Sequence, residues 1–324
     1  MIVTILMALA AGCTSALMFA SIISGALLSL LLCYLAPLPL LVAALGWGPL
    51  CAAAGGLAAA AGLAAMFGFA YGTAFAIAVA LPAWWLGHLA LLGRPTAHDA
   101  SLPGFPAAVA GDLEWYPVGR LLLWIAGFAA LSTIAALLTL GSDAASISSA
   151  LRRGLLRLFE PREMPLSDDA EHWVDALVSL APAAGVAVAL MTLTLNVWLA
   201  AKITATSGQL RRPWPDLRGT VLPPMTLPAS FIAIAFCFTG GLLAMVAQIV
   251  TGALLMAYSL VGFAVLHSLT LPMKSRALWL GTTYAIVVVF GWPILALVAL
   301  GLADALFDFR RRFRRGKPPP LPAA

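Results

Sequence analysis

The fold of this chain is decided by its opening stretch, which carries no formal charge. Over residues 1–50 it reads MIVTILMALAAGCTSALMFASIISGALLSLLLCYLAPLPLLVAALGWGPL, and no Asp, Glu, Lys or Arg occurs before Arg94. A transmembrane helix needs about 20 mostly apolar residues to cross roughly 30 Å of hydrocarbon. The stretch therefore predicts about three membrane crossings or more, and it excludes the core of a water-soluble domain.

The composition of the whole chain agrees with this opening stretch. Of its 324 residues, 62% are hydrophobic and 10% are charged, and the mean hydropathy is +1.00, whereas about 25% of residues are charged in a typical soluble domain. The net charge of +5 does not indicate a nucleic-acid partner, because the basic excess is concentrated near the C-terminus. The residues concerned are Arg310, Arg311, Arg312, Arg314, Arg315 and Lys317. Such a cluster is typical of a cytoplasmic membrane end and predicts contact with anionic lipid.

Apolar runs separated by Pro, Gly or charge predict an all-α fold, a polytopic transmembrane helix bundle of about eight spans. The expected spans cover residues 5–33, 38–64, 67–92, 118–140, 173–201, 226–248, 252–270 and 278–303. We expect residues 1–305 to form a single transmembrane domain. Residues 306–324 are basic and rich in Pro, which predicts a disordered cytoplasmic tail.

The orientation of these spans is contested by the positive charges in the loops. If the basic tail is cytoplasmic and all eight predicted spans cross the membrane, the N-terminus is also cytoplasmic. Lys202, Arg212 and Lys274 then lie outside, against the positive-inside rule. The alternative makes residues 278–303 a re-entrant pair of half-helices, broken at Gly291-Trp292-Pro293. That arrangement places the loops that contain Lys202, Arg212 and Lys274 in the cytoplasm. The periodicity of the apolar residues does not decide between the two arrangements.

The polar connector at residues 142–172 predicts a short helix. Ser142-Asp143 can cap it, and apolar residues then recur at three-to-four spacing beside arginines, which is typical of a helix on the membrane surface and equally of a connector packed on the bundle. Farther along, Asp168 and Glu171 beside His172 resemble a metal cluster. Their spacing is that of a capping box opening the next span, so we favour a cap over a metal site.

Small residues recur every four positions along the first predicted span. The stripe includes Gly12, Ala16, Ala20 and Ser24. In lipid, such a stripe lets another helix approach backbone to backbone. One interpretation is packing inside the bundle, and the other is docking of a partner membrane protein on the first helix.

Candidate ligand contacts are the few polar side chains predicted at membrane depth. They are Asn196, with Trp198 beside it, Gln248 and His267. Buried polar groups in a bilayer usually face the bundle interior, where they bond to other helices or contact a ligand. No carboxylate falls in the middle of a predicted span, and the 4 cysteines lack the spacing of zinc or redox motifs. We therefore predict no catalytic residues, no metal, no cofactor and no enzyme activity.

Two further segments carry a resemblance to a known family. They are Asn196-Val197-Trp198-Leu199-Ala200 with Lys202, Ser207-Gly208 and Arg212-Pro213-Trp214-Pro215-Asp216-Leu217, and then Gly301-Leu302-Ala303-Asp304 with Phe309-Arg310. With them the chain resembles the YybS-like family of predicted bacterial membrane proteins, which has no established function. That family is distantly similar to the substrate-binding subunits of energy-coupling-factor transporters, small helical proteins whose first helix docks a coupling subunit through an Ala-xxx-Ala stripe. Ala16 and Ala20 match that spacing, so the resemblance implies a docking face there.

Together these features predict a multi-pass protein of the bacterial cytoplasmic (inner) membrane. The bacterial origin is inferred from composition, since Arg outnumbers Lys and Ala, Gly and Pro are abundant. We expect it to bind a small molecule within its bundle or to act as a transport-associated component. The alternative is a scaffold or assembly factor that uses its small-residue faces to hold another membrane protein and its basic tail to hold anionic lipid.

Overall fold

The computed structural model describes residues 2–95, 113–159 and 168–310, and within these ranges the chain is almost entirely helical. The exception is a short hairpin in which β1 (Gly93–Pro95) pairs antiparallel with β2 (Leu113–Trp115). The predicted all-α class is confirmed.

The uncharged first third folds into a series of closely spaced helices. They are α1 (Ile2–Ala20), α2 (Leu27–Tyr34), α3 (Pro37–Trp47), α4 (Pro49–Phe67), α5 (Phe69–Phe75) and α6 (Leu81–Ala90). A 3-10 turn at Ser21–Ser24 extends α1, and a π-helical turn at Ala76–Ala80 joins α5 to α6. These helices combine into segments long enough to span a membrane at Ile2–Ser24, Leu27–Trp47, Pro49–Phe67 and Phe69–Ala90.

The predicted boundaries at 5–33 and 38–64 are wrong. The first apolar run breaks after Ser24, because Gly25 has a φ of 69° and Ala26 is extended, so that α2 starts a new segment. The second run breaks at Trp47, and α4 then begins with Pro49, a residue favoured in the first turn of a helix. Glycine and proline inside the apolar runs therefore mark boundaries between helices.

The remaining helices are α7 (Val118–Leu138), α8 (Ala144–Phe159), α9 (Asp168–Thr206), α10 (Thr226–Phe236), α11 (Gly241–Leu269), α12 (Arg276–Phe290) and α13 (Ile294–Phe307). In the described ranges, 7 segments are long and apolar enough to cross a membrane, with α7, α9 from Glu171 onwards and α11 completing the set. Three shorter apolar helices, α10, α12 and α13, accompany them. The described chain is thus a multi-pass helical membrane protein.

The expected break between residues 248 and 252 is also misplaced. Helix α11 runs through both positions without interruption, and the break lies instead at residues 237–240, between α10 and α11. Gly252 lies inside α11, close to a neighbouring segment of the second unit. A Cβ at this position would be 3.0 Å from Val186 Cγ1 and 3.5 Å from the backbone of Ala183. That glycine permits a close helix contact, whereas Gly240, with a φ of 86°, allows the chain to turn.

The predicted interruption at Gly291-Trp292-Pro293 is present. It separates α12, with 15 residues, from α13, with 14 residues. At 1.5 Å per residue each helix is only about 22 Å long, which is less than the hydrocarbon thickness of a bilayer. The expected full span at 278–303 is therefore a pair of shorter helices.

The chain divides into 2 compact units. The first comprises Met1–Ser132 and Met191–Pro215, and the second comprises Thr133–Leu190 and Asp216–Ala324. In the first unit α1 packs closely on α4, since a Cβ on Gly12 would overlap the backbone carbonyl of Gly55. In the second, α11 packs on α13, since a Cβ on Gly262 would overlap the carbonyl of Leu297 and one on Gly301 that of Tyr258.

The predicted connector helix is present as α8, in the second unit. Asp143 caps it, because its Oδ1 accepts a hydrogen bond from the backbone N–H of Ser146 at 2.9 Å. Arg152 of α8 forms ion pairs with Asp175 and, at 3.8 Å, with Glu171 of α9. These contacts support the interpretation of α8 as a connector packed on a neighbouring helix.

Two predictions concern parts of the chain that the structure does not describe. The side chain of Asp168, proposed as a cap, is not described, although α9 does begin at that residue. Residues 311–324, which carry most of the basic tail, also lie outside these ranges.

Candidate functional site

The best candidate for a ligand contact is Asn196, on α9 in the first unit. Its side chain is completely buried. Nδ2 donates hydrogen bonds to the carbonyl oxygens of Tyr34 at 2.9 Å and of Thr192 at 2.8 Å. The first bond ties α9 to the end of α2.

The carbonyl of Tyr34 is free to accept this bond because the helix breaks there. In a continuous helix the N–H of Leu38 would donate to Tyr34, but it donates instead to the carbonyl of Leu35, at 3.0 Å. Helix α3 then begins at Pro37. The Pro37-Leu38-Pro39 interruption thus leaves a backbone acceptor inside the unit, and Asn196 occupies it.

The amide orientation of Asn196 follows from these partners. Both are carbonyl oxygens, which can only accept, so the NH₂ group must face them and Oδ1 must point away. Oδ1 is buried and has no hydrogen-bond partner among the described residues. Leaving a buried acceptor unpaired costs about 1–3 kcal/mol. The arrangement therefore presents an acceptor suited to a ligand that carries an N–H or O–H group.

The other candidate ligand residues are Trp198, on the same helix as Asn196, and two residues of the second unit. Trp198 is 42% exposed on the surface of α9. Gln248 and His267 both lie on α11, in the second unit, where their separation along the helix is about 28 Å. His267 Nδ1 lies 2.9 Å from the carbonyl oxygen of Phe263, and its ring makes an edge contact with Tyr284 at 5.9 Å. A ligand role for these three residues stays a prediction.

The small-residue stripe of α1 is buried at some positions and exposed at others. Gly12 is buried against α4, so at this position the stripe packs inside the chain. Ala16 and Ala20 are half-buried, and Ser24 is exposed, with its hydroxyl bonded to that of Ser29. Docking of a partner on Ala16 and Ala20 stays a prediction.

One buried charged cluster was not predicted from the sequence. Asp304 and Arg310 lie at the end of α13 in the second unit, are 4% and 5% exposed, and form an ion pair with 2.6 Å between Oδ2 and Nη2. The sequence places Arg310 in the basic tail. In the structure its side chain is instead buried against Asp304, because Asp308 adopts a left-handed conformation, with a φ of 53°, and turns the chain back.

Arg310 also bonds to the backbone of the segment between α9 and α10. Its Nη1 donates to the carbonyl of Arg218 at 2.7 Å and its Nη2 to that of Thr220 at 2.9 Å. The same Arg218 carbonyl accepts a weaker bond from Ser268 Oγ, at 3.4 Å. Because Ser268 is near the end of α11, the α12–α13 pair begins and ends at the same end of that helix.

The remaining chemistry of the described residues is sparse. No group of three or more His, Cys, Asp or Glu side chains within these ranges could hold a metal ion. Comparison of the chain with protein-family models, curated proteins and solved structures found no match.

Proposed function

We propose that this protein binds a small molecule within its first unit and acts as a transport-associated component of a bacterial inner membrane. The observation that carries the proposal is the buried, unpartnered Oδ1 of Asn196. A ligand N–H or O–H group bonded to this atom recovers the cost of its burial.

The helix break beside Asn196 supports the same proposal. Interrupted helices are where many membrane transporters bind their substrates, because unwound backbone can contact a ligand there. The carbonyl of Tyr34 is such a freed backbone group, and it holds the Asn196 amide with Oδ1 pointing away. The break thus positions the acceptor as well as interrupting the span.

The resemblance to the YybS-like family belongs to this proposal. Asn196 is the first residue of one of the segments that carry the resemblance, Asn196-Val197-Trp198-Leu199-Ala200. A distant relationship to the substrate-binding subunits of energy-coupling-factor transporters is compatible with a ligand at this position. Likeness of fold does not by itself establish function, so the test must be chemical.

The test is native mass spectrometry of the whole chain purified in mild detergent. We expect a co-purified small molecule with the wild type and with Thr73→Val, whose exposed hydroxyl bonds only to the carbonyl of its own helix at Phe69. We expect Asn196→Leu, which is similar in shape but has no polar atoms, to lose the molecule while the protein stays folded.

Two results would overturn the proposal. The first is repeated absence of any small molecule from wild-type protein, and in that case a stable complex with another membrane protein would favour a scaffold. The second is equal recovery of the molecule with folded Asn196→Leu. The wild-type measurement is informative even if the variant does not fold.

A further inference from the structure

A second polar region of the first unit lies where two membrane helices end. Helix α6 ends at Ala90 and α9 at Thr206, and the loop after α9 folds back so that the N–H groups of Gln209 and Leu210 both donate to the carbonyl of Thr204. The loop continues through Arg212-Pro213-Trp214-Pro215. Its prolines restrict the backbone on both sides of Trp214.

Arg212 connects this loop to the end of α6. Its Nη1 donates to the carbonyl of Ala90 at 3.2 Å, and its guanidinium carbon lies 6.0 Å from the centre of the Trp115 ring. The side chain is half-buried and forms no ion pair with a carboxylate of the described chain. Burial without a counter-charge lowers the pKa of the Arg212 guanidinium.

Lys202 adds a second cation beside the same loop. Its ammonium group lies 4.4 Å from the centre of the Trp214 ring, and Trp214 is 42% exposed. Nearby Arg94 differs from both, because it is neutralised by Glu114 at 2.9 Å across the β1–β2 hairpin. Arg212 and Lys202 thus each lie against a tryptophan, and neither has a carboxylate partner in the described residues.

We propose that Arg212 and Lys202 bind the phosphate of an anionic phospholipid headgroup. Tryptophan is enriched at the membrane–water interface, where one side of the ring contacts acyl chains and the other is hydrated. The ends of α6 and α9 place the cations at this level. Guanidinium groups bind phosphate oxygens through paired N–H donors. The bond to the Ala90 carbonyl uses only one of the N–H donors of Arg212, so the others can bind phosphate.

The experiment is a native mass spectrometry titration of delipidated, full-length protein in mild detergent. Phosphatidylglycerol, phosphatidylcholine and inorganic phosphate are the probes. Each basic residue near an anionic surface contributes about fivefold to binding, so we expect phosphatidylglycerol to bind about 25-fold more tightly than phosphatidylcholine. Inorganic phosphate at the same concentration should not compete.

The variants test whether lipid binding depends on these two cations or on other charges at the surface. Lys202→Gln should weaken phosphatidylglycerol binding about fivefold, and the pair Lys202→Gln with Arg212→Gln should remove the preference for this lipid. Arg94→Gln is the matched control and should have little effect, since Glu114 already neutralises that side chain. Thermal unfolding in detergent checks that each variant is folded.

Three outcomes would overturn the proposal. They are equal affinity for the two lipids, an unchanged affinity in Lys202→Gln, and competition by inorganic phosphate, which would assign the site to a free phosphate compound. Lys202→Gln keeps the test decisive if Arg212→Gln fails to fold, because the contact described for the Lys202 side chain is with the partly exposed ring of Trp214.

Discussion

Asp304 and Arg310 form an ion pair that is almost fully enclosed by the second unit. Arg310 Nε lies 2.8 Å from Asp304 Oδ2, and the backbone N–H of Arg310 donates to Asp304 Oδ1 at 3.1 Å. The carbonyls of Arg218 and Thr220 bond to the remaining face of the guanidinium. The pair therefore fastens the last described turn of the chain to a loop far away in sequence.

We expect Arg310→Met to lower the free energy of unfolding by about 3–5 kcal/mol, because it leaves the Asp304 carboxylate buried without its partner. Combining it with Asp304→Leu should restore part of the loss, since neither charge then remains. Thermal and denaturant unfolding followed by circular dichroism measures both effects. Arg94→Met, which breaks an exposed pair, is the control and should change stability little; an equal effect in the two single variants would contradict the assignment.

The crossing of α11 and α13 predicts opposite effects for two glycines in the same unit. Gly262→Ala should destabilise the protein, because the new methyl group overlaps the Leu297 carbonyl. Gly281→Ala in α12 meets nothing within 4 Å, and it should be neutral or stabilising by up to about 1 kcal/mol, since alanine favours helix over glycine. Unfolding midpoints of the two variants test this, and similar destabilisation by both would refute the packing argument.

Substitutions at the buried and at the half-buried positions of the α1 stripe test its packing and docking roles separately. Gly12→Leu should disrupt the α1–α4 contact and reduce the yield of folded protein. Ala16→Leu combined with Ala20→Leu should leave the fold intact and abolish co-purification of any membrane protein that docks there. Size-exclusion chromatography and mass spectrometry of the purified samples report both results. Recovery of an unchanged partner with the double variant would rule out docking on these residues.

The α12–α13 pair predicts where two loops lie relative to the membrane. Because the pair begins and ends at the same end of α11, we expect Lys274→Cys and Phe309→Cys to be labelled from the same side by a membrane-impermeant maleimide. The background protein should lack the native cysteines, and a permeant reagent controls for reactivity. Labelling from opposite sides would favour one full crossing over residues 278–303.

The sequence predicts the class of this protein well and its helix boundaries less well. The absence of charge before Arg94 requires a membrane setting, whatever the details of packing. Glycine is harder to interpret, because Gly252 permits contact inside a helix whereas Gly240 allows a turn, and only neighbouring side chains distinguish them. Hydropathy alone does not separate these two uses.

The candidate site is predictable only in part, for similar reasons. Asn196 stands out as a polar residue within an apolar run, but its partner at Tyr34 depends on a helix break distant in sequence. Nothing in the sequence marks Asp304 and Arg310 as a buried pair. It depends on the left-handed turn at Asp308, a conformation that residues other than glycine adopt infrequently.

The Gly12–Gly55 contact also imposes an order on biosynthesis. Chains are made from the N-terminus, so α1 is complete before any of α4 exists. Until then α1 has only α2 and α3 of the first unit to pack against, and apolar side chains such as Leu6 and Leu17, which stay exposed in the folded unit, hold it in the bilayer. A nascent chain that stalls before Pro49 lacks the surface that covers Gly12, and this uncovered helix is what membrane quality control would encounter.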